Sequence, residues 1–249
     1  MRPSFSIVTC TRDSIATLPQ TLASIRMQQG VQLQMIFVDG DSVDGTLELL
    51  RRVQAEDGRV QLLTGVRGGI SRAMNAGLAA ARGDVVAHLH ADDHYLHPQV
   101  LARVADRLLA DDSDWLFGRI VSDVGGRLAP EPFVPPRFSP AALLRGNFVP
   151  HPATFVRRAV FERFGGFRED YRLAMDYEYW LRIAPHTRVS QLDEALAAFR
   201  VHAGSASTRQ AQAAFDEDMW ARLEHGPLWR WPAFAGRYLV RHARRFGPA

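Results

Sequence analysis

Five polar side chains fall within seven residues at His88, His90, Asp92, Asp93 and His94, directly after an apolar run from Val85 to Leu89. Adjacent carboxylates at the end of a strand suit Mg2+ or Mn2+, hard cations that share oxygen ligands with a diphosphate. A helix cap explains one aspartate but not the cluster. A second string, Asp39-Gly40-Asp41-Ser42-Val43-Asp44-Gly45-Thr46, ends another apolar run. There a carboxylate can accept hydrogen bonds from a base N–H or a ribose hydroxyl, and the glycines let backbone approach a ligand closely. The plainer account is a turn with Asp44 or Thr46 capping a helix.

Two further strings carry chemistry. Gly68-Gly69-Ile70-Ser71-Arg72-Ala73-Met74-Asn75-Ala76-Gly77 opens a helix whose N–H groups, with Arg72, suit an anion such as a diphosphate. Ala174 to Arg182 reads as a helix start with Asp176 and Glu178 among aromatic residues, Trp180 included. An aspartate at the head of that helix can take a proton from an acceptor hydroxyl if it faces the donor. In each case a bland reading competes: a glycine-rich helix start for the first, an N-cap with Trp180 in the core for the second.

The elements that must position these strings alternate between strand-like and helical periodicity. Phe5 to Thr9, Met35 to Asp39, Val60 to Leu63 and Val85 to Leu89 read as short buried parallel strands. Ile15, Leu18, Leu22 and Ile25 mark a first helix, Thr46 starts a second, Ser71 to Arg82 forms a third, and Pro98 opens a fourth carrying Leu101, Val104 and Leu108 inward. This is the pattern of an α/β, Rossmann-like, mostly parallel sheet flanked by helices. Asp39 and Asp92 then share the carboxyl edge, where open α/β sheets bind ligands. Prolines make residues 128 to 150 irregular, helices return near Val160 and at Asp176 to Ile183, and Arg188 to Leu192 and Ala197 to Val201 read as strands.

The 249 residues, 47% hydrophobic and 23% charged, suit a globular chain with a sizeable core. A net charge of +3 without a basic patch gives no case for nucleic acid. The single cysteine, Cys10, fits a reducing compartment. With no leader-like or membrane-length apolar stretch, the expectation is a cytoplasmic protein, or a peripheral one at the inner face of the cell membrane. The C-terminal Trp231, Phe234, Tyr238, Leu239 and Phe246 share a helical face opposite Arg237, Arg241, Arg244 and Arg245, as in an interfacial helix. A helix packing that face on its own domain has the same pattern.

His88-x-His90-x-Asp92-Asp93-His94 is also similar to the metal motif of metallo-β-lactamase-type hydrolases, although His94 falls one residue late. Taken in order with Thr9-Cys10-Thr11, His151-Pro152-Ala153-Thr154-Phe155 and Gly165-Gly166-Phe167, the strings over residues 4 to 208 resemble family 2 glycosyltransferases of GT-A fold. These include bacterial enzymes of polysaccharide and glycolipid synthesis. The resemblance implies an inverting transfer from a nucleoside-diphosphate sugar to a saccharide or lipid-linked saccharide, aided by Mn2+ or Mg2+.

It further implies a nucleotide-sugar site at Thr9, Cys10, Thr11, Asp39, Asp41, Arg72, Asn75, His90, Asp92 and Asp93, with Asp92 and His202 on the metal. His90 replaces the usual first aspartate of the Asp-x-Asp motif. Asp176 matches the catalytic base, and His151, Glu178 and Trp180 fall to the acceptor. The expected organisation is a GT-A domain over residues 1–208, split into a donor half (1–127) and an acceptor half (128–208), and a helical extension over 209–249. A nucleotide-sugar-binding protein without turnover shares these features.

Overall fold

The computed structural model describes residues 1–201 and 210–246, with side chains through residue 244. One nine-stranded sheet runs in the order β3-β2-β1-β4-β8-β6-β9-β5, with β7 on the edge of β6. Its parallel part is β1 (Phe5–Thr11), β2 (Leu33–Asp39), β3 (Val60–Leu63) and β4 (Val85–His88). The helices α1 (Leu18–Arg26), α2 (Thr46–Glu56) and α3 (Ile70–Ala80) make the crossovers. Thr11 lies opposite Asp39 in the register, so two of the strings meet at one edge.

Each buried strand sends alternate residues to opposite faces. Val8, Ile36, Val38 and Val86 pack with α3 and with the later helices α6 (Arg158–Phe164) and α7 (Met175–Ile183). Phe5, Ile7, Met35, Phe37 and Val85 pack with α1, α2 and α4 (Val100–Ala110). The sheet is thus covered on both sides, as an all-apolar parallel sheet requires. The approach of α3 to the sheet depends on Gly77, where an added Cβ would lie 2.3 Å from Val8 Cγ1.

The second half departs from the sequence expectation. β5 (His94–Tyr95), β6 (Trp115–Val124) and β8 (Thr154–Arg157) are strands that the periodicity did not announce, and β4–β8 and β6–β8 pair antiparallel. The two expected C-terminal strands are one, β9 (Val189–Arg200), parallel to β6. Within the proline-rich segment, β7 (Arg127–Pro130) pairs with β6, and α5 (Pro140–Leu143) starts on a Ser139 cap. Pro98 lies outside α4, and its carbonyl accepts the Gln29 N–H at 2.9 Å.

Two helices close the chain, α8 (Ala211–His225) and α9 (Trp231–Phe246). The proposed membrane face of α9 is divided. Phe234 is buried, and Tyr238 stacks on Phe215 of α8 with ring centroids 5.1 Å apart, whereas Trp231 and Leu239 are exposed. Among the described residues no helix is long and apolar enough to cross a membrane.

Candidate active site

One edge of the site is built where β1 and β2 end. Asp39 is fully buried and accepts from Thr11 Oγ1 at 2.9 Å, Ser42 Oγ at 2.6 Å and Ser42 N at 2.9 Å. These bonds tie the two strand ends into one loop, which continues through Asp41 in the left-handed region at φ 64°. Asp41 is ion-paired to the exposed Arg67, and Asp44 caps α2 through Thr46 N at 3.0 Å while holding Ile15 N at 2.9 Å. Asp39 therefore fixes the loop's shape, and the backbone of that loop is the surface left for a ligand. Arg72 is exposed on the first turn of α3, its side chain lying along Gly68.

The acidic string ends β4. Asp93 is buried, with its carboxylate accepting Arg200 N at 3.2 Å and its carbonyl accepting Thr21 Oγ1 at 2.7 Å. Burial, followed by the neighbouring charge of Asp92, pushes its pKa well above the ordinary carboxylate value. Asp93 locks the strand end to β9 and α1, and Asp92 is the more accessible carboxylate of the pair.

The histidines separate into two environments. His94 sits beside Gln20, with ring nitrogen and amide 3.3 Å apart, whereas His88 packs edge-on to Phe167 at 5.0 Å. That division argues against a shared zinc site of the hydrolase kind. His90 stacks on His151 with centroids 5.1 Å apart and planes 14° from parallel. Burial keeps all three of His88, His90 and His151 neutral, with His88 lowered to about 3 and the other two shifted the same way.

Among the described residues no three His, Cys, Asp or Glu side chains gather as a closed metal site. Asp92 acts electrostatically on His90, whose Nδ1 is buried without a partner. One carboxylate and one imidazole fit a cation whose remaining ligands come from a diphosphate and water, the open coordination that Mg2+ favours. His202 lies outside the described residues.

The stacked histidines lead to Asp176. His151 Nδ1 is 3.9 Å from Asp176 Oδ2, too long for a hydrogen bond but within contact. Asp176 stands in the first turn of α7, with Oδ1 accepting Tyr177 N at 2.6 Å. Burial raises its pKa to about 7, the backbone bond of Tyr177 opposes, Asp218 adds to the rise, and the neighbouring Asn147 amide opposes it. A carboxylate at that value is suited to accept a proton near neutrality.

Several expected site residues hold the structure instead. Trp180 is buried and stacks on Trp115 at 5.2 Å and 12°, so it is core and no sugar platform. Glu178 is fully buried, bonded to Arg182 Nε at 3.1 Å and His225 Nε2 at 2.9 Å, which leaves it no access to an acceptor. Asn75 uses both ends of its amide on Phe167, donating to its carbonyl at 2.7 Å and accepting its N–H at 2.8 Å. Cys10 faces the core, where burial pushes the thiol up to about 12, and the Thr9 hydroxyl is buried without a partner. Only backbone from Thr9 and Cys10 can serve a ligand.

The sequence reading missed residues that act across long separations. Glu217 of α8 accepts the N–H groups of Arg172, Leu173 and Ala174 at 3.1, 2.8 and 2.9 Å, bonding backbone just ahead of α7. Asn147 and Asp218 both bear on Asp176. A cavity of about 460 Å³, lined by Ile120, Val121, Phe133, Val134, Phe148 and Val149, reaches this region at Asn147. No local pattern marks these positions.

A family model described as Glycosyl transferase family 2 matches residues 6–165. The chain is 34% identical over 227 residues to the O-antigen biosynthesis protein RfbC of Myxococcus xanthus, covering 86% of this chain but only 17% of that protein. It is 31% identical over 188 residues to an uncharacterized glycosyltransferase of Mycobacterium tuberculosis, covering 73% of this chain and 69% of the relative. Among solved structures, S. aureus TarS in complex with UDP-GlcNAc superposes with a TM-score of 0.76 at 19% identity, covering 97% of this chain and 73% of that one. The mannosyltransferase PcManGT from Pyrobaculum calidifontis, in complex with GDP-Man and Mn2+, gives 0.69 at 19%, covering 98% and 76%. The matched family model and the curled, mostly parallel sheet agree, and this chain belongs to glycosyltransferase family 2 with the GT-A fold.

Proposed function

We propose that the protein transfers a sugar from a nucleoside-diphosphate donor to a hydroxyl of a saccharide or lipid-linked saccharide, with inversion, during assembly of a cell-surface polysaccharide or glycolipid. Relatives named for O-antigen and for PGL/p-HBAD biosynthesis support the setting. The observation that carries the mechanism is Asp176, a carboxylate with a pKa near 7, joined through stacked His151 and His90 to the acidic end of β4. Residues 1–127 supply the donor half, 128–208 the acceptor half, and 209–249 an extension braced on α7.

In this reading the nucleotide lies along the Thr9 to Thr11 and Asp39 to Asp41 backbone, with Arg72 toward its phosphates. Asp92, with His90 or His202, would hold Mn2+ or Mg2+, which supplies positive charge to the departing diphosphate. Asp176 takes the acceptor proton as the hydroxyl oxygen attacks the anomeric carbon. The neutral imidazole of His151 packs against the base and limits water there.

Purified enzyme with a panel of nucleotide sugars and either metal tests this. Asp176→Asn is expected to lower kcat by roughly 10² to 10⁴. Wild-type kcat should rise with pH through about 7 as Asp176 ionises. The unfolded chain ionises that group near the ordinary value of about 3.9, so between these pH values the native state binds the extra proton and stability falls as pH rises. Asn at 176 escapes that loss and should be the more stable protein at pH 8, by on the order of 1 to 3 kcal/mol. Equal turnover by Asp176→Asn refutes the base.

A further inference from the structure

The mechanism leaves one charged cavity unused, about 370 Å³ in volume, which shares Asn147 with the apolar one. Arg222 of α8 and Arg241 and Arg244 of α9 line it with Asp218, Phe215 and Asn147. We propose that this cavity binds a phosphate group carried by the acceptor, so that the C-terminal helices complete the acceptor site. The proposal rests on the reading of Asp176 as the base, because Asn147 lines the cavity and also favours the ionised form of that carboxylate.

Charge and burial argue for an anion. Arg222 is only 3% exposed, and its Nε is buried with no hydrogen-bond partner. Its nearest carboxylate is Asp218, with Nη2 and Oδ2 3.5 Å apart, beyond the range of a strong charged hydrogen bond. A buried guanidinium with an unmet donor is costly unless something completes it.

Arg241 and Arg244 stand three residues apart on α9 and so project from neighbouring positions on one side of the helix. The charge of Arg241 is felt at both Asp218 and Tyr177. Among the residues that line the cavity, three arginines accompany a single carboxylate, Asp218. Phosphate, with several oxygens able to take paired N–H donors from more than one arginine, matches that arrangement better than a carboxylate does.

The donor's own diphosphate has a different address. Its elements are the ends of β1, β2 and β4 and the start of α3, none of which lines this cavity. An acceptor phosphate in the arginine cavity would instead fix a hydroxyl on the same molecule near Asp176. Arg241 and Arg244, two of the arginines that suggested a membrane-facing helix, then belong to substrate recognition.

Calorimetric titration of the full chain with inorganic phosphate and with glycerol phosphate tests this without any turnover. The Arg241→Gln/Arg244→Gln double variant alters exposed positions, and it should weaken both ligands at least tenfold while UDP and GDP titrate as in wild type. Arg72→Gln, on the donor side, should bind inorganic phosphate normally. Phosphate affinity within twofold of wild type in the double variant overturns the proposal, as does parallel loss of nucleotide binding.

Flotation with phosphatidylglycerol and phosphatidylcholine vesicles separates the sources. Binding confined to the anionic vesicles, lost in the double variant and accompanied by no soluble phosphate binding, assigns the arginines to lipid headgroups and refutes the acceptor assignment. None of these readouts depends on Asp176, so the phosphate subsite and the base fail separately.

Discussion

Asp39 at the end of β2 and Asp92 beyond the end of β4, and Asp176 in the first turn of α7, are aspartates positioned by different physics. Asp39 is held within its own βαβ unit by Thr11 and Ser42, whereas the Asp92 carbonyl accepts Arg200 Nε of β9 at 3.1 Å. Asp176 depends on Asn147 before it and Asp218 after it, and its helix is braced by Glu217. Burial is also used differently. Asp39 is buried and fully engaged in hydrogen bonds, which fixes a loop, whereas Asp176 keeps part of its side chain exposed but is desolvated with few compensating bonds, which raises its pKa to about 7. Under the proposed mechanism, the side that binds is satisfied in advance and the side that accepts a proton is left under-satisfied.

Three substitutions sharpen this contrast. The largest effect is expected from Glu217→Ala, which strips the shared acceptor from three backbone N–H groups. It should cost about 2 to 4 kcal/mol in urea unfolding and lower kcat, with nucleotide affinity kept in calorimetry. Nucleotide affinity falling as far as kcat would show that the two halves are not separable.

Gly77→Ala should act in the opposite half. Its methyl would meet Val8 at 2.3 Å and force α3 off the sheet, for about 1 to 3 kcal/mol of stability. Because α3 carries Arg72, the same variant should weaken nucleotide binding while leaving the pH midpoint of kcat near 7. An unchanged Kd for nucleotide would detach α3 from the donor site.

The smallest effect belongs to Asn147→Ala. The Asn147 amide favours the ionised form of Asp176, so its loss should move the kcat midpoint to higher pH and reduce turnover a few-fold at pH 7. A shift to lower pH would contradict the placement of Asn147.

The legibility of the chain follows the same division. β1 to β4 and α1 to α3 were readable because each is a short apolar run or a periodic helix bounded by Gly or Asp, and the strand ends follow directly. β6 and β8 were not, since antiparallel strands in mid-sheet take their partners from positions tens of residues away, as Leu116 does from Phe155. Motif reading singled out Asp176, and it also assigned Glu178 and Trp180 to the acceptor, although one is ion-paired to Arg182 and His225 and the other stacks on Trp115. Both are polar or aromatic for reasons of packing.

What the sequence alone determined is the doubly wound donor half and the order of its carboxylate-bearing loops, because hydrophobic period and turn chemistry are local properties of the chain. Tertiary structure decided which side chains remain available for chemistry. It closed off Asn75, Glu178 and Trp180, stacked His90 on His151 beside Asp176, and brought Asn147, Asp218 and the arginines of the last two helices to one place. Burial and proximity across the fold set those outcomes, and neither is a property of any single stretch of residues.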